Sequence, residues 1–356
     1  MVLVHICCSV DSHYFLEKLQ EDYPQERIIG FFYDPNIHPY SEYKLRLLDV
    51  QFSCDKLGID LIEGPYDLEN WLKITKGLEN EPEKGDRCSV CFDNRLDVTL
   101  NKAKELGCDK FTTTLLISPK KSQDKLQIIG EKLALQSGIE FIFKDYRSGD
   151  GVQIQGQKVK ENKLYRQNYC GCLYALSAQR EYQDRLKDEL ISPIGQDILP
   201  NSIEYRLKLY KNRDKNPDLD IVKNRFLNYR LLSGKVIIQK KIIDSYFLPY
   251  STLKNNKTQG RVERVIDNIG YFNRDELKMI TLEFFNSLAN SQYKNIKELV
   301  YSPLEFERLL NIRSKLLDNS FYDLSCVVVV DKIEDKKYEI ICNSVVYDDT
   351  IEKILK

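Results

Sequence analysis

The chain has 356 residues, enough for about two domains of ordinary size. It is 42% hydrophobic and 30% charged with a formal net charge of −1, a globular composition that excludes global attraction to nucleic acid but not a local basic patch. No stretch approaches about 18 consecutive apolar residues, so no membrane span is expected. The opening Met-Val-Leu-Val-His-Ile lacks the basic segment of a secretory leader. A cytoplasmic location is expected, and clustered cysteines there read as ligands or redox groups rather than disulfides.

In chain order, Val2–Ile6, Ile28–Tyr33, Ile59–Glu63, Lys110–Leu115 and Glu140–Phe143 are short, apolar or β-branched and bounded by turns, as strands are. Between them, Ser12–Asp22, Ser41–Leu57, Leu68–Lys76, Phe92–Leu106 and Gln123–Gln136 carry apolar residues at helical spacing. Gly58, Gly107 and Gly138 follow three of these segments, where left-handed C-caps are expected. Strict alternation of this kind predicts an α/β fold, a Rossmann-like parallel sheet with helices on both faces. In such folds ligands gather at the carboxyl ends of the strands. Cys7-Cys8, Asp34-Pro35-Asn36 and Ser118-Pro119-Lys120 all fall there.

The alternation fades near Ser192-Pro193-Ile194-Gly195, which divides a 1–192 domain from a 195–356 accessory domain of α+β content. In the latter, Ser202–Lys211, Asp220–Leu232 and Arg274–Ala289 read as helices. Ser325–Asp331 and Tyr338–Val346 read as a strand pair around the charged turn Ile333–Lys337. Residues 195–260 carry 13 Lys+Arg against 6 Asp+Glu, whereas residues 1–194 carry 26 against 31. Such a stretch is either a solvated face or a phosphate-facing strip.

Six of the ten cysteines form tight clusters: Cys7-Cys8, Cys88-Ser-Val-Cys91 and Cys170-Gly-Cys172. Core filling needs apolar volume and has no use for adjacent sulfurs, whereas a soft metal or an iron–sulfur cluster prefers thiolates. A cubane cluster takes four cysteines, which leaves two over. Asp11 stands at a helix start, either as a cap or as an oxygen ligand to a second metal ion acting as a Lewis acid. Of the three histidines, His5 lies inside the first strand and suits a structural hydrogen bond, His13 reads as a helix-surface residue, and His38 sits in a turn near the strand ends.

These residues resemble the epoxyqueuosine reductase family of the QueH type over almost all of residues 1–177. The resemblance runs through His5-Ile-Cys7-Cys8, Tyr33-Asp-Pro-Asn-Ile-His38-Pro-Tyr40-Ser-Glu42-Tyr43 and Arg87-Cys88-Ser-Val-Cys91-Phe92-Asp-Asn-Arg95-Leu96. It continues through Phe111-Thr-Thr-Thr114-Leu-Leu-Ile-Ser118-Pro119 and ends in Tyr165-Arg-Gln-Asn-Tyr169-Cys170-Gly-Cys172. Ser9-Val10 replace the Ala-Pro usual after the two cysteines, position 11 is Cys in many members and Asp in others, and typical members stop near residue 190.

The resemblance implies an oxidoreductase that removes the epoxide oxygen of epoxyqueuosine at the tRNA wobble position to give queuosine. It implies a [4Fe–4S] cluster, an adjacent metal ion taken to be iron, and no cobalamin. Its partners would be the tRNAs accepting Asp, Asn, His and Tyr, and an external electron donor such as ferredoxin or flavodoxin. On this reading Cys88, Cys91, Cys170 and Cys172 hold the cluster, and Cys7, Cys8 and Asp11 surround the second metal, with an exchange between the sets left open. Tyr33, His38, Tyr165 and Tyr169 are candidate proton donors or base-stacking groups. Lys120, Lys121, Arg147 and Arg166 are candidate phosphate contacts, and the basic 195–260 stretch is expected to extend the tRNA footprint. Two other readings compete: an iron–sulfur tRNA thiolase, which needs a Ser-Gly-Gly-type ATP loop where the dicysteine stands, and a zinc-stabilised RNA-binding module.

Overall fold

The computed structural model describes residues 1–191, 198–216, 219–272, 276–317 and 323–355. They divide into two compact units. The first holds residues 1–190 together with Arg206–Ile221 and the last residues from Ile354; the second holds Ile191–Tyr205 and Val222–Lys353. The division expected at residues 192–195 lies outside the described residues.

In the first unit the elements run β1 (Val2–Ile6), α1 (Ser9–Asp22), β2 (Ile28–Phe32), α2 (Tyr40–Leu57), β3 (Asp60–Glu63), α3 (Leu68–Ile74), α4 (Asp86–Glu105) and β4 (Lys110–Thr113). A 3-10 turn, Thr114–Ile117, then leads to α5 (Gln123–Ser137), β5 (Glu140–Phe141), α6 (Gly151–Glu161) and α7 (Leu173–Tyr182). The greater part of α8 (Ile203–Lys215) also belongs here. The sheet is parallel, in the order β3-β2-β1-β4-β5. The central strand β1 is apolar but for His5 and wholly buried, as a parallel strand covered on both faces must be. Helix α1 packs on α2 and α6, and α4 packs on α5 and on β1. Strand order reverses between β1 and β4, so a crevice opens at their carboxyl ends.

The five strands and five helices expected here are present, with small shifts of their ends. The fourth strand stops at Thr113 because its hydroxyl accepts the Leu115 N–H at 3.1 Å and starts the 3-10 turn. Gly58, Gly107 and Gly138 do take left-handed φ values of 66°, 68° and 74°. Helices α6 and α7 were not expected. His13 is not a surface residue: it is buried and shares a 2.8 Å hydrogen bond with Ser53 Oγ.

The second unit departs further from expectation. Asp220–Ile238 is one long strand, β6, followed by β7 (Lys241–Ile243), β8 (Ser245–Phe247), β9 (Lys257–Gly260), β10 (Arg264–Ile266), β11 (Ile269–Phe272) and β12 (Leu277–Thr281). After these come α9 (Leu282–Ala289), α10 (Ile296–Tyr301), α11 (Phe306–Leu316), β13 (Cys326–Val330) and β14 (Tyr338–Leu355). The helix expected over Asp220–Leu232 is overridden because β6 lies between β7 and β14 in a four-stranded sheet. The helix expected over Arg274–Ala289 begins only at Leu282, where Thr281 caps it by accepting the Phe284 N–H; residues 273–275 lie outside the described residues.

The two strands near the C-terminus exist but do not pair with each other. β13 lies between β12 and β8 in a five-stranded sheet, and β14 lies between β6 and β9 in the four-stranded one. The buried run Cys326–Val330 explains this. Cys326, Val328 and Val330 face the core that holds Val236 and Ile340, while Val327 and Val329 face the helices with Phe285, Leu299 and Ile312. A strand apolar on both faces is a middle layer, not half of an exposed hairpin.

Gly130 on α5 tests the packing of the first unit. A Cβ there would stand 2.3 Å from the Phe141 ring, which itself packs at 5.1 Å on Phe111. Gly-to-Ala in a helix ordinarily gains up to about 1 kcal/mol, but overpacking a core costs about 1–3 kcal/mol. Gly130→Ala is therefore expected to lower stability by about 1–2 kcal/mol in denaturant unfolding, and a stabilised variant would contradict this packing.

Candidate metal centre

Cys7 and Cys8 follow β1 directly, and Cys8 is the N-cap of α1. Their sulfurs are 3.7 Å apart, and Cys7 Sγ lies 3.7 Å from Asp11 Oδ2 and 3.8 Å from Thr114 Oγ1 at the end of β4. Ligand atoms of Cys7, Cys8 and Asp11 all fall within 4.8 Å of one another, and all three residues are buried. Asp11 does not cap its helix with its side chain. Its Oδ1 instead accepts from Gln155 Nε2 at 3.0 Å. This trio sits in the β1/β4 crevice on a cavity of about 220 Å³.

Cys88 and Cys91 occupy the first two turns of α4, and Cys172 is the N-cap of α7. With Cys170 they line a second, smaller cavity beside Trp71 and Asn36. Cys170, Lys121, Arg95 and Glu83 line both cavities, so the three cysteine clusters converge on one edge of the sheet. Cys8, Cys88 and Cys172 each stand at a helix N-terminus, where the backbone dipole favours negative charge.

The loop bearing Cys170 and Cys172 is tied down by Arg46 on α2. Its Nη1 and Nη2 donate to the carbonyls of Cys170 and Tyr169, each at 3.0 Å, while its Nε donates to Glu42 Oε1 at 2.7 Å. Ile37 pairs with Cys172 in an isolated antiparallel bridge, and the His38 N–H donates to the Gly171 carbonyl at 2.9 Å. Gly171 has φ 112°, and a Cβ there would meet Ile37 Cγ1 at 2.9 Å and Arg46 Nη1 at 3.1 Å. Only glycine serves at that position.

Three buried or nearly buried cations, Arg46, Arg95 and Lys121, face the sulfurs. Arg95 is ion-paired with Asp34 and also donates to His5 Nε2 at 3.2 Å. Lys121 donates to Cys170 Sγ at 3.1 Å. Burial pushes the Cys170 thiol up, but the charge and hydrogen bond of Lys121 outweigh it, and the net shift is downward. Burial governs Cys91 and Cys172, and the Cys7 hydrogen bond leads at Cys8. Burial raises Cys91 and takes Cys172 to about 12, and the hydrogen bond with Cys7 together with burial pushes Cys8 well up. Burial likewise raises Asp11, against the pull of Lys121, Ser118 and Gln155.

Such donors ionise readily only against a cation, and metal binding then displaces their protons. The buried indole N–H of Trp71 has no hydrogen-bond partner among the described residues and lies near Cys91, where it and the charge of Arg95 offset part of the rise that burial causes. A polar hydrogen aimed at ligand sulfur is what an iron–sulfur site uses to tune its potential. Cys7, Cys8 and Asp11 offer two sulfurs and a carboxylate oxygen within reach of one ion, and the other four thiols line the adjoining cavity.

The remaining sequence candidates separate. Tyr169 lines the large cavity, but its hydroxyl donates to the His38 carbonyl at 2.7 Å. Tyr165 is buried away from the cavity lining and donates to Glu42 Oε2 at 3.0 Å. Tyr33 points its hydroxyl at Asn94 Oδ1, 3.5 Å away, and burial takes its pKa to about 12. His38 is absent from the lining of both cavities, and burial lowers its pKa. Lys120 and Arg166 are exposed on the rim of the large cavity. Lys121 points inward, with 9% of its side chain exposed, and Arg147 donates to the carbonyls of Ser118 and Lys121.

Sequence reasoning gave no role to Arg46, Arg95, Trp71 or Asp34. The signal available was Glu42 and Arg46 at helical i,i+4 spacing, together with the Asp34 that follows β2.

The chain matches the family model described as epoxyqueuosine reductase QueH over residues 2–178. It is 40% identical to the epoxyqueuosine reductase QueH of Helicobacter pylori, over 99% of this chain and all of that one. The QueH of Thermotoga maritima is 34% identical over 51% of this chain and 92% of its own length, and that of Streptococcus pyogenes 37% over 50% and 71%. Among solved structures, the U34-tRNA thiolase NcsA of Methanococcus maripaludis with its [4Fe–4S] cluster aligns with a TM-score of 0.33 at 18% identity, over 61% of this chain and 73% of that one. With a relative matched over its full length at 40% identity, the chain belongs to the epoxyqueuosine reductase QueH family.

Proposed function

We propose that this protein reduces epoxyqueuosine in tRNA to queuosine, with Cys88, Cys91, Cys170 and Cys172 holding a [4Fe–4S] cluster and Cys7, Cys8 and Asp11 holding a second metal ion, iron. The observation that supports this division is the pair of adjoining cavities, four thiols on one and the Cys7–Cys8–Asp11 trio on the other, with Cys170 on their common wall. The reaction consumes two electrons and two protons, breaks both C–O bonds of the epoxide and releases the oxygen as water. When bound, the cluster supplies electrons singly from an external donor such as ferredoxin or flavodoxin, and the second ion supplies a Lewis acid.

The chain's own residues do the rest. Gln155 orients the Asp11 carboxylate, and Lys121 favours the thiolate of Cys170. Asp34 lies on the cavity wall with Oδ2 buried and unpartnered among the described residues. Burial, opposed by Arg95 and Arg46, takes its pKa up to about 7. Asp34 can therefore exchange a proton near neutral pH, its ionised form being the one paired with Arg95, whereas the hydroxyls of Tyr33, Tyr165 and Tyr169 are directed at acceptors within the protein. The cavity would receive the modified end of a splayed-out nucleoside, with Lys120 and Arg166 at its rim for the flanking phosphates. Anticodon loops of the Asp, Asn, His and Tyr tRNAs are the substrates, and a cytoplasmic location follows from them. The basic 195–260 stretch adds to the tRNA contact.

Incubating epoxyqueuosine-containing tRNA with the reconstituted, chemically reduced protein should yield queuosine on nucleoside analysis. Cys88→Ala should lose both the brown chromophore and the product, whereas Cys8→Ala should keep the chromophore and lose the product. Conversion by a colourless zinc form would contradict the assignment. Because Asp34 loses its proton as pH rises through about 7, the single-turnover rate should fall on the alkaline side of that value. Asp34→Asn should be slower and lack that limb; an unchanged limb would remove Asp34 from the mechanism. Lys120→Ala and Arg166→Ala should each weaken tRNA binding and reduce the salt slope by about 1, and full retention of both would exclude a phosphate role.

A further inference from the structure

Arg213 lies on α8, outside the 2–178 stretch matched by the family model, yet from Arg206 onward that helix belongs to the unit built on the parallel sheet. Its side chain is 1% exposed and every edge of the guanidinium is engaged. Nη1 lies 2.5 Å from Asp49 Oδ1 and 2.8 Å from the Lys163 carbonyl, while Nη2 and Nε hold Asp214 Oδ1 at 2.6 and 2.9 Å. The guanidinium stacks 3.7 Å above the Phe52 ring and 4.8 Å from that of Tyr210. Asp49, on α2, is as inaccessible as its partner. Its other oxygen accepts the Ser9 hydroxyl and the Tyr165 N–H, the latter at 2.8 Å. Ser9 is the residue after Cys8 and the first of α1.

We propose that Arg213 is a positioning residue of the metal site, fixing the Cys7–Cys8 turn through Asp49 and Ser9. A carboxylate buried to this degree is tolerated only when paired, and breaking such a pair leaves an uncompensated charge. Without Arg213, Asp49 must either take up a proton or seek another cation. In either case the anchor of Ser9 is lost, and the turn that aims the two sulfurs loosens. Groups that orient metal ligands from behind commonly change metal affinity about 10–100-fold when removed. The C-terminal extension is thus not merely an appendage to a self-sufficient domain, because a chain cut before residue 206 loses part of the metal-site unit.

This inference rests on reading Cys7 and Cys8 as ligands, and two readouts keep the two claims apart. In the metal-free full-length protein, alkylation of each cysteine is followed by mass spectrometry under native conditions. Arg213→Ala and Ser9→Ala should each speed reaction at Cys7 and Cys8 about tenfold relative to Cys91 and Cys108 in the same molecule. Combined, they should add less than about threefold to the larger single effect, because both break one chain of contacts. Ser9→Ala leaves the buried ion pair intact and so decides the matter should Arg213→Ala fail to fold. Gly130→Ala, destabilised elsewhere, should not change the ratio. Unchanged rates at Cys7 and Cys8, equal acceleration at Cys91, or fully additive effects would overturn the proposal. After iron–sulfur reconstitution, the wild type should hold one iron beyond the four of the cluster and Arg213→Ala should hold less of it. A wild type with no fifth iron refutes the two-metal reading, while the alkylation ratio still decides the role of Arg213.

Discussion

Arg46 donates to the carbonyls of Tyr169 and Cys170 from a buried position on α2, and the arrangement of the whole site depends on those two hydrogen bonds. Cys170 and Cys172 come from a loop far along the chain from the first two strands, whose ends they approach. Cys172 packs with Trp71 and Cys91 in a small apolar cluster, but that alone does not fix the backbone at Tyr169 and Cys170. The charged fork fixes it, and it does so where burial strengthens each bond to a charged group. Gly171 and the Ile37–Cys172 bridge complete the closure, because no side chain fits between Ile37 and Arg46. Glu42 neutralises Arg46 and takes the Tyr165 hydroxyl as well, so one carboxylate links helix α2 to both ends of the loop.

Charge balance explains why so many arginines and lysines are buried in a protein of net charge −1. Arg46, Arg95 and Lys121 gather around sulfurs that must be thiolates to bind metal. Cys170 has Lys121 in direct contact, and there the electrostatic pull exceeds the penalty of burial. At Cys91 and Asp11 burial prevails, at Cys8 the hydrogen bond with Cys7 leads, and all three are held above their ordinary range. The two cavities share Arg95 and Lys121, so charge changes at one donor set are felt at the other. Asp34, paired with Arg95 and raised by burial to about 7, adds a carboxyl that can change protonation near neutral pH at the same wall.

Much of the first unit was legible because local signals and tertiary demands agree there. The run Val2–Ile6 could be a buried parallel strand on composition alone, and ligand chemistry at its end follows from topology. The six clustered cysteines stood out because close sulfur spacing has few other uses, and the structure brings them to one sheet edge. What failed to show was whatever depends on contact across the fold. Asp220–Leu232 reads as a helix, yet it belongs to a long strand that lies beside β14, and the valine-rich run Cys326–Val330 suggests a simple hairpin until two separate cores claim its faces. The tyrosines looked available for proton transfer because nothing local reveals that His38, Glu42 and Asn94 take their hydroxyls. Arg213 and Asp49 are 164 positions apart in sequence, and no spacing rule connects them.

The central claim is that two distinct metal centres share this edge of the sheet. It is tested most directly by a crystal structure of the anaerobically reconstituted full-length protein, with anomalous difference maps on both sides of the iron absorption edge. The account predicts one large iron peak enclosed by Cys88, Cys91, Cys170 and Cys172 and a second, separate peak among Cys7, Cys8 and Asp11. A single peak drawing on all three cysteine clusters, or iron at the dicysteine with the other four thiols free, would contradict it.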